Sequence, residues 1–599
     1  MDLRLTRFAG LLAAIVLMIG ISANGGAVKQ QSVEIPPWAG TQISAWDNAA
    51  KTILLADMTT VEPASALAPR MKKRHWKKIP YELIGGQKGS MIWASPESNA
   101  PPVRLKLGVN GWYAIFVGVF SGPEASSRLW VKLNTDPAPV ARQNSNSDYY
   151  GNLKDAFFKV AELNGDETIQ FSQQSAGFTS GGGVGYVKLI PLSSKEIAGL
   201  KADRNRKDTR RVTATCDGFS FIYYRRPTTA EEFLVEVEEF RDSDVDTLIL
   251  HSFGADKVSY PTKVGHLPGQ DMDDYLNPGH RYFSEAVREL ARKKINPMKV
   301  MIDGAHDVGM KVQVAVRPGG WSFVEPFTDF WETPFYKKNP KWRCEDKDGT
   351  PVTRMSWAVP EVRKHVVDLL REMVSLGADG AHLVFNRGLP VSLYEEPFRA
   401  LFQTKHNLDP RTLEDTDPRI LKLRSDIVTT FMSELRTVLD EEQKRRGSGK
   451  RLSLTAMVLG NEFDNSWYGI DIRRLVAEGL LDEISTYHWD FGARKGGLDI
   501  KFFKEVCGPK GIPFRAGPAL GIERMLTDAV SYYEQGADGI ALWDAAGRDI
   551  NEWSVLSRFG HVDEMRAHIK RRIPRESYVF FRRLGENVMN GRFSPIWGG

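Results

Sequence analysis

Charged and amide side chains, and one tryptophan, follow a series of short apolar runs between residues 212 and 547. Each run is typical of a buried parallel strand, and the carboxyl ends of the parallel strands of a barrel meet at one mouth. We therefore expect these side chains to share one pocket that is suited to acid–base chemistry and anion binding. The set consists of Asp217, His251, Arg317, Asn386, Arg387, Glu462, Asp464, His488, Asp490, Arg515, Trp543 and Asp544.

The elements that must position these residues alternate between strand and helix patterns. Amphipathic helical patterns occur at 230–242, 282–294, 361–376, 419–446, 471–480 and 524–535. Eight βα units predict a (β/α)8 TIM barrel over 211–560, because a doubly wound nucleotide-binding sheet would carry a GxGxxG or P-loop that this chain lacks. The predicted strands lie near 212–217, 246–252, 311–317, 381–387, 452–459, 484–490, 512–517 and 539–544.

A different pattern precedes the barrel. Residues 81–195 contain short β-rich runs separated by Gly, Pro and Asn turns, which predicts an antiparallel β-sandwich. Exposed aromatics on such a domain would bind carbohydrate, although core packing is the more common role for Trp112, Tyr113 and Trp130. Residues 24–80 are interpreted as a linker or irregular region, and residues 561–599 as a C-terminal extension.

Composition and the first residues indicate an exported protein. Residues 1–23 combine Arg4 and Arg7 with an apolar core and small residues, which predicts a Sec-type signal peptide, with an uncleaved anchor as the alternative. After cleavage we expect a periplasmic or extracellular protein with no stable membrane insertion. A net charge of +5 on 599 residues gives no reason to expect nucleic-acid binding, and three distant cysteines form no disulfide framework.

The loop that follows the third barrel strand is rich in aromatic residues. Flat aromatic faces beside carboxylates and arginines suit a sugar, and an acidic sugar in particular. We expect two or three of these rings, Trp321 among them, to contact substrate while the others hold the loop on the barrel. The rings within 318–360 are Trp321, Phe323, Phe327, Phe330, Trp331, Phe335, Tyr336, Trp342 and Trp357.

Five segments of the barrel region resemble the family-10-like glycosyl hydrolases, a group of exported bacterial TIM barrels. The resemblance implies glycoside hydrolysis of a carbohydrate substrate without a cofactor, in a barrel that lies beside a β-domain. It covers about 212–560. The segments are MKVQVAVRPGGW, FWETPFYKKNPKW, MSWAVPEVRKHVVDLLREMV, ADGAHLVFNRG and YGIDIRRLVAEGLLDEIS.

Two positions depart from the pattern that this resemblance implies. The fourth strand of the family typically ends in leucine–aspartate–aromatic, whereas this chain has Leu383-Val384-Phe385. Related glycosidase barrels place a glutamate nucleophile on the seventh strand, where this chain has Arg515. Valine neither transfers a proton nor attacks an anomeric carbon, so other carboxylates must supply the chemistry if the barrel is active.

Glycoside hydrolysis requires one carboxyl group as acid and a second as nucleophile or base. Asp490 and Asp544 end strands six and eight, and Asp217 ends strand one, which neighbours strand eight in a closed barrel. Glu462 is the loop alternative for the acid. We expect Arg317, Arg387 and Arg515 to bind acidic groups of the sugar, and we expect Asn386, His251, His488, Trp543 and Trp321 to contribute further substrate contacts.

Two other functions stay open at this point. Because Val384 replaces the expected carboxylate, the barrel could be a glycan-binding protein without activity. A metal-dependent hydrolase would carry a His-x-His pair on strand one, where this chain has Thr215-Cys216-Asp217. A divalent ion among Asp217, His251 and Asp544 is the remaining metal hypothesis, although no metal site is predicted. Activity towards polysaccharides and metal analysis separate these alternatives.

Overall fold

The computed structural model describes residues 51–122, 126–145, 151–173, 181–252, 254–487, 494–543, 553–571 and 578–588. His488, Asp490 and Asp544 therefore lie outside the described residues. None of the helices in the described ranges has both the length and the apolar character needed to cross a membrane.

The N-terminal region forms two mainly antiparallel sheets, which share one hydrophobic core. The strands start earlier than predicted, within the region interpreted as a linker, since the side chain of Trp76 is buried in that core. The strands are β1 Ile53–Leu55, β2 Leu67–Ala68, β3 Trp76–Leu83, β4 Lys88–Ala94, β5 Val103–Lys106, β6 Asn110–Ser121, β7 Ser127–Leu133, β8 Val140–Asn144, β9 Asn152–Asn164, β10 Thr168–Gln173 and β11 Gly182–Pro191.

The larger sheet of this region includes a strand from the other end of the chain. Strand Tyr578–Leu584, called β22 here, pairs with both β9 and β3, and Asn587–Val588 follows as β23. Because β3, β4, β11, β6 and β9 are already hydrogen-bonded in that order, β22 closes the sheet on itself. The predicted C-terminal extension thus contributes to the N-terminal domain.

The barrel consists of eight parallel strands in a closed ring, as the alternating pattern predicts. Neighbours in sequence are neighbours in the ring, and the last strand pairs with the first. Between the third and fourth strands lies the two-stranded hairpin of β15 Arg343–Glu345 and β16 Pro351–Met355. The barrel strands are β12 Val212–Asp217, β13 Val245–His251, β14 Lys311–Val316, β17 Gly380–Val384, β18 Ser453–Val458, β19 Glu483–Thr486, β20 Phe514–Ala516 and β21 Gly539–Leu542.

Helices fill the connections between the barrel strands, and most of the longer ones agree with the predicted periodic segments. The helix α1 Ser194–Arg204 precedes the barrel. The others are α2 Gly218–Arg225, α3 Ala230–Glu238, α4 Pro278–Arg292, α5 Pro297–Asp307, α6 Thr328–Trp331, α7 Pro334–Lys338, α8 Pro360–Ser375, α9 Glu396–His406, α10 Pro418–Arg446, α11 Glu462–Trp467, α12 Ile472–Ala477, α13 Ile500–Cys507, α14 Ile522–Gln535, α15 Trp553–Leu556 and α16 Val562–Arg571.

The N-terminal domain is packed tightly against the first helices of the barrel. Trp130 and Ala141 form a buried cluster with Val235 of α3. Beside it, Arg142 makes an ion pair of 2.7 Å with Glu239, and both side chains are buried. Trp130 is therefore a domain-contact residue and not an exposed sugar platform.

Candidate active site

The side chains inside the barrel alternate with those that face the helices, and they form successive layers along the barrel axis. Near the amino-terminal ends of the strands lies a partly buried ion-pair network. A polar layer follows, in which His382 Nδ1 lies 2.7 Å from Thr455 Oγ1 and the threonine hydroxyl donates to Gln313. Burial lowers the pKa of His382 to about 3, so this histidine is neutral at physiological pH.

An apolar layer separates that polar layer from the mouth of the barrel. It consists of Ile249, Ala315, Val384 and Met457, one residue from each of four consecutive strands, and we call it the apolar seat. Val384 is fully buried in it. The rings of Tyr487 and Trp543 pack against the seat from the mouth side. The position where the family resemblance implies an aspartate is therefore part of the support beneath an aromatic surface.

Trp543 lies across the mouth of the barrel. It follows β21, which is opposite β17 in the ring of eight strands, yet its ring is 5.3 Å from the guanidinium carbon of Arg387 at the end of β17. The guanidinium carbon of Arg317 lies 5.8 Å from the same ring. The rings of His251 and Tyr487 lie 5.1 and 4.9 Å from it. The indole thus forms the floor of the mouth, with two cations beside it.

The carboxylate of Asp217 accepts hydrogen bonds from residues that follow two different barrel strands. Its carboxylate accepts hydrogen bonds from the backbone of Phe219 at 3.1 Å and from the Ser220 hydroxyl at 3.3 Å, which caps α2. Arg317 Nη2 donates to it at 2.8 Å. With these three donors around it, the carboxylate fits the role of nucleophile, base or anchor for Arg317 better than that of proton donor.

Two buried polar side chains in the mouth have no hydrogen-bond partner among the described residues. Both ring nitrogens of His251 and both amide atoms of Asn386 are unpartnered, although these residues are only 2% and 0% exposed. Burial, reinforced by the nearby cations Arg317 and Arg387, holds the pKa of His251 well below its usual value against the opposing charge of Asp217. An unpartnered buried amide is costly, so Asn386 points to a bound polar group.

Arg515 lies at the opposite end of the barrel, so the prediction that it binds substrate at the mouth is wrong. It makes ion pairs with Asp246 at 2.5 Å and with Glu483 at 3.1 Å. Asp246 and Glu483 lie at the starts of β13 and β19, and Arg515 is nearly buried. The alternation places Arg515 inside the barrel as expected, but β20 is so short that its inward residue belongs to the amino-terminal layer.

The acidic residues that follow β18 also take roles away from the mouth. Glu462, the alternative general acid, is exposed and makes an ion pair of 2.5 Å with Arg473 at the protein surface. Asp464 is buried and accepts backbone hydrogen bonds from Arg494, Lys495 and Gly496. Burial would raise the pKa of Asp464, but these donors and Asn461 lower it. Asp464 therefore fixes one loop to the next.

Buried contacts hold the aromatic loop on the barrel, and Trp321 makes some of these contacts. Trp321 is fully buried, its indole nitrogen donates to the carbonyl of Pro318 at 2.8 Å, and its ring stacks on Phe335. The buried Lys257 donates to the carbonyls of Gly320 and Trp321 at 2.9 and 2.8 Å. The prediction that Trp321 contacts substrate is therefore wrong.

The described part of strand six shows which of its residues face the interior of the barrel. Tyr487 packs against the apolar seat and Ile484 belongs to the outer core, so Glu483, Ser485 and Tyr487 point inward. This face places the apolar Ile484 against the helices. His488 and Asp490, which the sequence predicts at the mouth after strand six, lie outside the described residues.

Neither a family model nor a curated protein matches the sequence. Solved structures do match it, and the following three are glycoside hydrolases. A β-galactosidase from Marinomonas ef1 has 11% identity and a TM-score of 0.37, and the match covers 61% of this chain and 61% of that protein.

The matches to two further solved structures cover almost the whole of those proteins. An α-galactosidase from Thermus thermophilus, solved with p-nitrophenyl α-D-galactopyranoside, has 13% identity and a TM-score of 0.31 over 81% of this chain and 94% of that one. The catalytic domain of a β-amylase from Paenibacillus polymyxa has 10% identity and a TM-score of 0.34 over 61% and 99%. Similarity at this level assigns neither substrate nor catalytic residues, and the family-10-like resemblance stays a prediction.

Proposed function

We propose that the barrel mouth binds an acidic saccharide and that the protein hydrolyses a glycosidic bond there. The observation that carries the proposal is the floor formed by Trp543 beside Arg317 and Arg387. An indole face stacks on a sugar ring, and a guanidinium group binds a carboxylate or sulfate through paired hydrogen bonds. Asn386, whose buried amide has no partner among the described residues, is proposed as a further contact to the same sugar.

Three aspartates are the proposed source of the two carboxyl groups. Asp217 lies in the mouth and is held by Arg317. Asp544 directly follows Trp543 in sequence, and Asp490 comes three residues after Tyr487. We assign the proton-donor role to Asp490 or Asp544, because Asp217 is surrounded by donors. His488, which precedes Asp490, is proposed as a further substrate contact.

The second candidate function is glycan binding without hydrolysis, and the apolar seat favours it. Val384 lies where the resemblance implies a catalytic aspartate, and three apolar residues together with Trp543 and Tyr487 surround it. A barrel that has exchanged its acid for an aromatic floor keeps its binding surface. The exported location that residues 1–23 predict is compatible with either function.

The test combines hydrolysis and binding on the same proteins. The wild type is incubated with neutral, carboxylated and sulfated polysaccharides, and release of reducing ends is measured. We expect cleavage of an acidic polymer, a loss of about 100-fold or more in Asp490→Asn or Asp544→Asn, and weaker binding in Arg387→Gln. The exposed Glu441→Gln on α10 is the control variant. Binding without cleavage by the wild type selects the second candidate, and preference for neutral polymers refutes acidic-group recognition.

A further inference from the structure

The hairpin of β15 and β16 places two more arginines at the edge of the mouth. Arg343 and Arg354 are partly buried, and the Nε atom of each is buried without a hydrogen-bond partner among the described residues. Burial lowers the pKa of Arg354, and the nearby groups that favour its charge are Cys344 and Tyr336 instead of a carboxylate. Among the described residues neither guanidinium group forms an ion pair, and Glu332, the carboxylate that also acts on Tyr336, accepts a hydrogen bond from Ser322.

Arg354 is close to the loops that carry the cations of the mouth. A Cβ atom at Gly319 would lie 2.6 Å from Cδ and Nε of Arg354 and 2.6 Å from the carbonyl oxygen of Gly388. Position 319 therefore has no room for a side chain larger than that of glycine, and the Arg354 side chain lies directly against its backbone. Because Gly319 and Gly388 follow Arg317 and Arg387 in sequence, the Arg354 side chain borders the same mouth.

Arg343 and Arg354 converge on the same tyrosine. The guanidinium carbon of Arg343 lies 4.1 Å from the centre of the Tyr336 ring. Burial and the charge of Glu332 raise the pKa of Tyr336, and Arg343 and Arg354 act against that shift. Arg354 is oriented by a hydrogen bond of 3.0 Å from Nη1 to the Thr353 hydroxyl. Arg343 and Arg354 lie on the two strands of one hairpin, and two like charges on one hairpin, without ion pairs in the described part of the chain, favour a bound anion.

We propose that Arg343 and Arg354 form a second anion-binding subsite beside the mouth, and that the ligand is a polysaccharide with carboxylate or sulfate groups on more than one sugar. The inference rests on the proposed function, because the first acidic group is the one that Arg317 and Arg387 bind. A single acidic sugar uses the mouth alone. A charged oligomer uses both subsites, so its affinity depends on the hairpin.

The experiment measures binding by calorimetry for three pairs of probes, each a monomer or disaccharide and its hexamer: galacturonate, mannuronate and chondroitin sulfate. Arg354→Gln and Arg343→Gln are compared with Arg354→Lys, which retains the charge, and with the control Arg371→Gln on the outer surface of α8. We expect the glutamine variants to weaken binding of the hexamer about 10-fold and to leave the short probe unchanged. Arg354→Lys recovers part of the affinity, the control variant has no effect, and unchanged melting temperatures verify that the variants fold.

The outcomes separate the subsite from the function on which it rests. If Arg387→Gln weakens both probe lengths but Arg354→Gln and Arg343→Gln weaken neither, the mouth binds acids and the second subsite is refuted. If the glutamine variants weaken the short probe and the hexamer equally, a subsite distinct from the mouth is also refuted. If none of the acidic probes binds the wild type, both proposals fail.

Discussion

Replacing Val384 with aspartate tests whether the apolar seat supports the mouth. The substitution restores the residue type that the family resemblance implies at this position. In this chain, however, the new carboxyl group would lie among Ile249, Ala315 and Met457 beneath the Trp543 ring, at a site that is 0% exposed. We therefore expect Val384→Asp to destabilise the barrel and to weaken glycan binding instead of creating activity.

The magnitude follows from the burial of Val384. Removing the buried valine side chain costs about 2 kcal/mol, and an unpartnered buried carboxylic acid adds about 1–3 kcal/mol. Burial also raises the folded-state pKa of the new carboxyl group above its unfolded value of about 4. The unfolded state then ionises first, so the loss grows by up to about 1.4 kcal/mol per pH unit from pH 4 to the raised pKa.

Denaturant unfolding followed by tryptophan fluorescence at pH 5 and pH 8 measures this loss. Val384→Ala is the matched control, since it leaves a cavity but no ionisable group and its effect of about 2 kcal/mol is independent of pH. If Val384→Asp is as stable as the wild type at pH 8, the reasoning is refuted, because the new carboxylate must then be hydrated. New hydrolytic activity in that variant would show that position 384 reaches substrate.

Three further substitutions test other parts of the barrel. Burial alone would lower the pKa of His561, but hydrogen bonds to Asp203 and Asp244 raise it to about 9. His561→Gln should therefore lower the free energy of unfolding by up to about 3 kcal/mol below pH 6.5, and the difference from wild type should vanish as the pH rises through 9. Thermal melts across this pH range measure the difference, and a difference that is independent of pH would contradict the prediction. Arg515→Gln removes the partner of two partly buried carboxylates and should cost about 3 kcal/mol in denaturant unfolding. An unchanged unfolding midpoint would show that these ion pairs contribute nothing to stability. Asn386→Leu removes an unpartnered amide, so it should weaken glycan binding about 10-fold, measured by titration calorimetry, without lowering the melting temperature. Unchanged binding would show that Asn386 does not belong to the site.

Much of the barrel could be predicted because its strands and helices have strong local periodicity. The apolar faces of helices α8 and α10 and the short apolar runs before each polar strand end follow directly from burial on both sides of a parallel sheet. The convergence of Arg317, Arg387, His251 and Trp543 followed from the same rule. Their closeness in the structure is the part of the site prediction that the geometry supports.

The errors arise where position along the barrel axis or loop packing decides the role of a residue. Arg515 and Arg317 both point inward after an apolar run, and the length of the strand alone determines which end of the barrel each one occupies. Trp321 is buried because Lys257 binds the loop backbone from a distant part of the sequence. The subsite residue Arg354 lies on a hairpin and not at a strand end of the barrel, so the rule used for the rim could not select it.

The strand Tyr578–Leu584 links the order of synthesis to the order of folding. Until this strand leaves the ribosome, β3 and β9 each have an edge without the partner that it supplies, although the rest of their sheet is already made. Open strand edges are sites of aggregation, so the nascent N-terminal domain depends on delayed folding or on chaperone protection while the barrel is translated. A stop codon shortly before Tyr578 would consequently damage the N-terminal domain, which is made long before this strand.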